Sequence, residues 1–373
     1  MNLPRIRIFL PIFIFAFAVS AFAQSGKVIQ TPTPTPDDTE RIFTEEIKLN
    51  VLAFDEEGKF AEGVKTEDLV ISENNTLHQA SSVRRIPANV LIVLDTGGEM
   101  RQKKSLDQTR KTASAIVNSL KTGDSFAVLQ YADKAEILAE WTDDKTQILS
   151  AINKKSNFGK RSVFVNALNL ANDFLQKNPL DNKHLILITD GTDTFADNTQ
   201  KASAMRKLLA TDINVHVISY TKMEITDIEP RARGISKTPP KPAMPPEIAA
   251  TLPNGVRDNA TSAKIGPTIN LDFKMLKKLR ERKMDLETSE KALSDLAENT
   301  NGEIFLPETK AEMIEKSALV AQIIDSSYVV TYIPKRALSE VSANEERNIE
   351  VSSRRAGLIV QAKRKLLVQP EIK

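Results

Sequence analysis

The 373-residue chain contains no cysteine and only three histidines, His78, His184 and His216. The first absence removes disulfides, thiol nucleophiles and thiolate metal centres, so any fold must be held by its core alone. Of the three histidines, none belongs to a credible ligand cluster or to a Ser/His/Asp set. No glycine-rich phosphate loop occurs either. A dominant charge is missing as well. Arg5 and Arg7 are the only charges in the first 23 residues, and removing that segment brings the formal net charge from +2 to zero. A surface so balanced has no long-range attraction for nucleic acid or anionic lipid. Beyond the amino terminus no apolar run is long enough to span a bilayer.

What is present begins with a signal-like segment. Arg5 and Arg7 precede the apolar stretch 8–20, and Ala21-Phe22-Ala23 before Gln24 has the small-x-small form of a signal-peptidase site. The expected division is a signal peptide over 1–23 and a stiff Pro/Thr-rich linker over 24–42, with TPTPTPDDT at 31–39. An exported protein, periplasmic or extracellular, follows, with no membrane span once the signal is removed. Residues 43–86 read as a small β (Ig-like) segment. Ile47, Leu49, Val51 and Ala53 alternate with their neighbours, Asp55–Gly58 turns, and Asn74-Asn75 suits a second turn.

From residue 89 the pattern becomes alternating buried strands and amphipathic helices. Val90–Leu94 and Leu185–Ile188 are continuous apolar runs, as in strands covered on both faces. Phe126–Leu129 and Ala135–Trp141 are joined by the short turn Ala132-Asp133-Lys134, which makes them an antiparallel hairpin. The fold class expected is α/β: a doubly wound, mostly parallel sheet with one antiparallel hairpin strand, plus a small β domain from the N- and C-terminal strands. This α/β section covers 87–325 and carries an insertion at 222–269, where eight prolines lie and no core is expected. Strands over 326–373 are expected to pack with 43–86. The basic Lys363-Arg364-Lys365 reads as a solvated strand face.

Polar residues gather at strand ends. Asp95 closes the first buried strand ahead of Thr96-Gly97-Gly98-Glu99, and Asp190 closes Leu185–Thr189 ahead of Gly191-Thr192-Asp193. Ser162 follows the loop Gly159-Lys160-Arg161. In an open α/β sheet, loops at the carboxyl ends of the strands converge on one mouth, where ligands bind. The segments VLIVLDTGGEM (90–100), GKRSVFVNAL (159–168) and LILITDGTD (185–193) resemble the von Willebrand factor type A family and its metal-ion-dependent adhesion site. The flanking EGVKTEDLVISENN and SSRRAGLIVQAKRKLL are similar to a group of exported bacterial proteins with a type A-related domain.

The resemblance implies a site for Mg2+ (or Mn2+ or Ca2+) using Asp95, Glu99, Ser162 and Asp190. It also implies a protein partner whose acidic side chain completes the metal shell. Gly97 stands where the family has its first serine and Glu99 where it has its second, so one neutral ligand is lost and one charge is gained. Carboxylates about 4 Å apart repel by about 4 kcal/mol at an effective dielectric near 20. Three outcomes stay open: a metal held partly by Glu99, a metal replaced by Lys160 or Arg161 turned inward, or Glu99 facing solvent near a helix start.

The function expected is an exported, non-enzymatic binding or adhesion-type module. Its partner contacts would be Thr96, Gly97, Gly98, Lys160, Arg161, Gly191, Thr192 and Asp193. The alternatives are a structural scaffold with a vestigial site and a metal-assisted hydrolase. Export by signal cleavage makes Gln24 the expected first residue of the mature chain. Amino-terminal sequencing of the secreted product checks this, and a product beginning at Met1 would identify an uncleaved anchor.

Overall fold

The computed structural model describes residues 46–98, 105–177, 180–233, 235–236, 268–269, 273–336, 345–363 and 365–368. The signal-like segment, the Pro/Thr segment, Glu99, Met100 and positions 237–267 of the proline-rich stretch lie outside the described residues. The amino-terminal strands are β1 (Ile47–Phe54), β2 (Leu69–Glu73), β3 (Thr76–His78) and β4 (Ala80–Arg84). Asn74 and Asn75 turn β2 into β3 at φ of 48° and 65°, a left-handed region that asparagine tolerates. The alternating section follows with β5 (Asn89–Asp95), α1 (Leu106–Ser119), β6 (Ser125–Tyr131) and β7 (Ala135–Thr142). It continues through α2 (Lys145–Ser150), α3 (Phe164–Lys177), β8 (Lys183–Thr189), α4 (Asn198–Leu209) and β9 (Asn214–Ser219).

These strands form a six-stranded sheet, completed at one edge by β12 (below), in the order β12-β9-β8-β5-β6-β7. Neighbours run parallel except β7, which returns antiparallel to β6. The period-two geometry of a strand divides β5 between two cores. Val90, Ile92 and Leu94 pack against Ile116 and Val117 of α1, while Leu91 and Val93 pack against Phe164 and Leu168 of α3. All five β5 side chains are buried, so truncating any one to alanine is expected to cost roughly 2–5 kcal/mol.

After β9 come α5 (Thr221–Ala232), the two-residue antiparallel pair β10 (Ile235–Ser236) and β11 (Thr268–Ile269), and the long α6 (Phe273–Asn299). Helix α5 corrects the sequence reading, which began a coreless insertion at residue 222. Its Ile228 and Ala232 pack with Leu279 and Leu286 of α6. Pro230 lies inside the helix, in its last turn. The chain then runs through β12 (Ile304–Phe305), α7 (Lys310–Asp325), β13 (Ser327–Tyr332), β14 (Glu345–Ser353), β15 (Ile359–Ala362) and β16 (Lys365–Val368).

Two antiparallel sheets join the ends of the described chain, in the orders β15-β1-β13-β4 and β16-β14-β2-β3. Leu49, Val51, Ile71, Val330, Tyr332 and Ile349 share one core between them. Lys363, read from sequence as solvated, is buried. Its ammonium donates to the carbonyls of Leu209 and Thr211, the latter at 2.6 Å, at the end of α4. Helix carboxyl ends present unpaired carbonyls that favour a cation. Burial pulls the Lys363 pKa down to about 8, against the opposing pull of Asp212.

Under the sheet, His184 of β8 and His216 of β9 stack with ring centroids 5.4 Å apart, both fully buried. His184 Nε2 lies 2.9 Å from the Asn182 Oδ1 acceptor and its Nδ1 lies 3.1 Å from His216 Nε2. The Asn182 amide nitrogen donates to the Ile86 carbonyl, which fixes its oxygen toward His184. His184 therefore carries its proton on Nε2, and His216 Nε2–H donates to His184 Nδ1. Both rings are neutral. Burial depresses both pKa values, that of His216 to about 4. The unfolded chain binds protons from about pH 6.5 downward while the native pair refuses them. Stability is thus complete above pH 6.5 and falls toward pH 4, by up to about 1.4 kcal/mol per pH unit per histidine. The urea midpoint followed from pH 7 to pH 4 is expected to drop less steeply in His216→Gln than in the wild type.

Candidate functional site

The carboxyl ends of β5 and β8 lie side by side, where the chain switches direction across the sheet. Asp95, the last residue of β5, is fully buried. Its Oδ1 accepts the Gly97 N–H at 3.1 Å and its Oδ2 faces the Thr189 hydroxyl at 3.4 Å. That hydroxyl also meets the Tyr131 hydroxyl at 2.5 Å and accepts the Gly191 N–H at 2.8 Å. Burial first, and then Asp95 and Asp190, push the Tyr131 pKa well up, so its hydroxyl stays protonated.

Asp190 is the residue after β8. Its Oδ1 accepts both the N–H of Thr192 at 2.8 Å and the Thr192 hydroxyl at 2.7 Å. The Ser162 hydroxyl donates to the Thr192 carbonyl at 3.2 Å, the Thr194 N–H donates to the Ser162 carbonyl at 2.7 Å, and the Ser162 N–H donates to the Thr194 hydroxyl at 2.8 Å. Ser162 and Asp190 are thereby linked through Thr192, while Asp95 is tied to Thr189, the residue before Asp190. Glu99, the fourth residue expected here, lies outside the described residues.

The partner-contact residues divide in two. Thr96, Gly97, Gly191 and Thr192 belong to the buried floor. Lys160 and Arg161 are exposed at the rim, and neither turns inward. The Asp133 carboxylate accepts their backbone N–H groups at 3.3 and 3.1 Å. The Arg161 guanidinium lies over the Phe195 ring, 5.2 Å from its centroid. Asp193 is a capping residue, taking the N–H groups of Val165, Phe195 and Ala196 at 2.8–2.9 Å. Gly98 adopts φ of 117°, a conformation open chiefly to glycine.

The inward cation comes from elsewhere. Arg282 of α6 sends Nη2 to Asp190 Oδ2 at 3.1 Å and to Glu224 Oε2 at 2.7 Å, while Nη1 donates to Thr192 Oγ1 at 2.9 Å. Its side chain is 22% exposed, against 3% for Asp190 and 5% for Glu224. Burial opposes the Arg282 charge, but Asp190 and Glu224 more than reverse this and hold its pKa above the ordinary value. Sequence reasoning missed both Arg282 and Glu224. A signal was there: buried Leu279, Leu286, Ser289 and Leu293 form one stripe of α6, and Arg282 falls on it at i+3 from Leu279. A charged residue on a buried stripe asks for a counter-charge.

The donor set does not suit a divalent cation. Magnesium requires six oxygens in near-ideal octahedral geometry at about 2.0–2.1 Å. Here both Asp190 oxygens are hydrogen-bonded, Ser162 donates its proton to a carbonyl, and a guanidinium sits on the carboxylate. Nor can the missing serine hydroxyl be supplied by the neighbouring backbone position. A Cβ on Gly97 would stand 1.8 Å from the Arg161 carbonyl oxygen and 2.9 Å from the Ala132 Cα. Among the described residues, no group of three or more His, Asp or Glu side chains is arranged to hold a metal.

Residues 90–192, which contain the mouth, match the family model of the von Willebrand factor type A domain. An aerotolerance-related membrane protein from Bacteroides fragilis NCTC 9343 aligns at 15% identity over 64% of this chain and 98% of its own, with a TM-score of 0.39. The conserved hypothetical protein BatB from Bacteroides thetaiotaomicron aligns at 16% identity over 64% and 98%, with a TM-score of 0.36. A von Willebrand factor type A protein from Catenulispora acidiphila aligns at 11% identity over 88% and 74%, with a TM-score of 0.40. No curated protein matches.

Restoring the family serine by Gly97→Ser is expected to destabilise the chain by about 1–3 kcal/mol, because the overlap is with backbone atoms that cannot step aside. Chemical denaturation of the variant beside the wild type measures this directly. An unchanged midpoint would mean that the loop 96–98 yields freely.

Proposed function

We propose that this chain, which carries a von Willebrand factor type A domain, is a non-enzymatic protein-binding module acting outside the cytoplasm, and that its contact surface is the rim of the sheet mouth. The observation that carries the reading is the pair Arg161 and Phe195. Phe195 is 65% exposed, with the Arg161 guanidinium over its ring. Arginine and aromatic side chains are the residues most enriched at the energetic centres of protein interfaces. Here they stand on loops fixed by the Asp133 and Asp193 carboxylates through their backbone bonds. A preorganised patch loses little conformational entropy when a partner arrives.

The signal-like amino terminus supports action beyond the cytoplasm, and no helix among the described residues is long and apolar enough to cross a membrane. Hydrolysis lacks support. His184 and His216 are occupied with each other below the sheet, and His78 is buried beside Glu73 in the antiparallel sheets. The Ser162 hydroxyl therefore has no imidazole to activate it. Saturation of Asp190 by Arg282 favours a second reading, an assembly or structural module that contacts its neighbours through other surfaces.

The two readings separate by site-specific photo-crosslinking in the intact producing cell. A photoreactive residue at position 195 is expected to give a discrete adduct that Arg161→Glu weakens at least about tenfold, as for a hot-spot residue. The same group at Leu319, an exposed position on α7, is expected to give none. Adducts from position 319 with none from 195 would support the assembly reading and reject the rim.

A further inference from the structure

We infer that Arg282 is a built-in cation of the mouth: its guanidinium takes the electrostatic place that a divalent metal holds in the resembled adhesion site, and the mouth works without metal. This stands independently of whether the rim binds a partner, since it concerns only what neutralises the buried carboxylates.

Asp190 and Glu224 are both buried, from different elements, and both reach the same Nη2 atom. Two carboxylates converging on one point in a poorly solvated site require a cation between them. Arginine suits the role better than lysine, because its planar fork reaches several acceptors at fixed angles. Arg282 uses both terminal nitrogens of that fork, with Nη2 bridging the two acids and Nη1 on the Thr192 hydroxyl. The Thr192 hydroxyl in turn donates a hydrogen bond to Asp190 Oδ1, so the loop is oriented as well as neutralised.

Steric fit makes the arrangement self-consistent. Gly97 leaves no room for a ligand hydroxyl, because the Arg161 carbonyl occupies the place of its Cβ. Helix α6 is keyed to the loop 190–193 at two further points. Ser289 donates to the Gly191 carbonyl at 3.2 Å, and Leu293 packs where a Cβ on Gly191 would lie, 2.8 Å away. Arg282, Ser289 and Leu293 follow at spacings of seven and four, which puts them on one helical face. The cation therefore arrives with the helix, and the state of the mouth is tied to the seating of α6 rather than to metal concentration.

The test is a comparison of thermal melts of the full chain in chelator and in millimolar Mg2+ or Mn2+, for the wild type, Arg282→Ala and Arg282→Lys. The wild type is expected to melt at one temperature in all three conditions and to give no heat on calorimetric metal titration. Arg282→Ala removes the guanidinium from both buried acids. It is expected to melt lower in chelator and to recover by several degrees in metal, since a ligand that binds only the native state raises the midpoint. Arg282→Lys keeps the charge and should stay insensitive to metal. If Arg282→Ala does not fold in chelator, recovery of its near-ultraviolet circular dichroism in metal is the equivalent readout. A wild-type melt raised by metal overturns the inference, and so does an Arg282→Ala variant that metal leaves unmoved.

Discussion

The guanidinium of Arg282 is the point on which the upper half of the sheet depends. It joins α6 to the carboxylate that follows β8 and to Glu224 of α5, adding an ionic contact to the apolar packing and the Ser289 hydrogen bond that seat the same helix. Remove it, and two buried negative charges remain against each other in a site that water reaches only partly. Breaking a buried pair by deleting one partner is worth about 3–5 kcal/mol, well above the cost of losing a surface ion pair. The hydrophobic contacts of α6 with α5 through Leu279 and Leu286 lie along the same helix. Apolar packing therefore supplies the helix seat, and the ionic contact fixes its register.

Gly97 and Arg282 belong to one arrangement. In a metal site, neutral hydroxyls fill coordination positions and the ion carries the positive charge. Here the Arg161 carbonyl oxygen lies 1.8 Å from where a Cβ on Gly97 would stand. The hydroxyl and the space for it vanish together. The charge balance that the ion would provide comes from a side chain instead. Each change would be costly alone: a lost hydroxyl weakens a metal site, and an arginine delivered to an intact metal site would repel the ion. Together they leave Asp190 satisfied on both oxygens.

The sheet was legible because its signals are local. Five consecutive apolar residues at 90–94, the three-residue turn before β7 and the amphipathic stripe of α3 each follow from one short stretch of chain. Asp95, Ser162 and Asp190 were legible as strand-end and loop residues, and the structure links Ser162 to Asp190 through Thr192 and ties Asp95 to Thr189. What stayed hidden depends on distant partners. Arg282 lies 92 residues beyond Asp190 and sits in a highly charged helix, where one more basic residue looks like surface. Helix α5 was concealed by the prolines that follow it, although only Pro230 falls inside it. Lys363 looked solvated because its acceptors are backbone carbonyls, which no side-chain pattern announces.

A sheet covered on both faces must satisfy polar groups that it cannot wet, and this chain does so differently at its two ends. Beneath the sheet, His184 and His216 avoid charge altogether: Asn182 accepts one proton, sets the tautomer, and leaves each ring neutral. At the carboxyl ends, the carboxylates of Asp190 and Glu224 are met by the guanidinium of Arg282. The histidine pair is sealed and gains nothing from solvent. The ionic site keeps 22% of the arginine side chain exposed, which lowers the desolvation cost of the guanidinium. Partial exposure is what allows a buried acid and a base to coexist at the mouth. At the rim Arg161 and Phe195 are accessible, while the acids beneath remain committed to holding the fold.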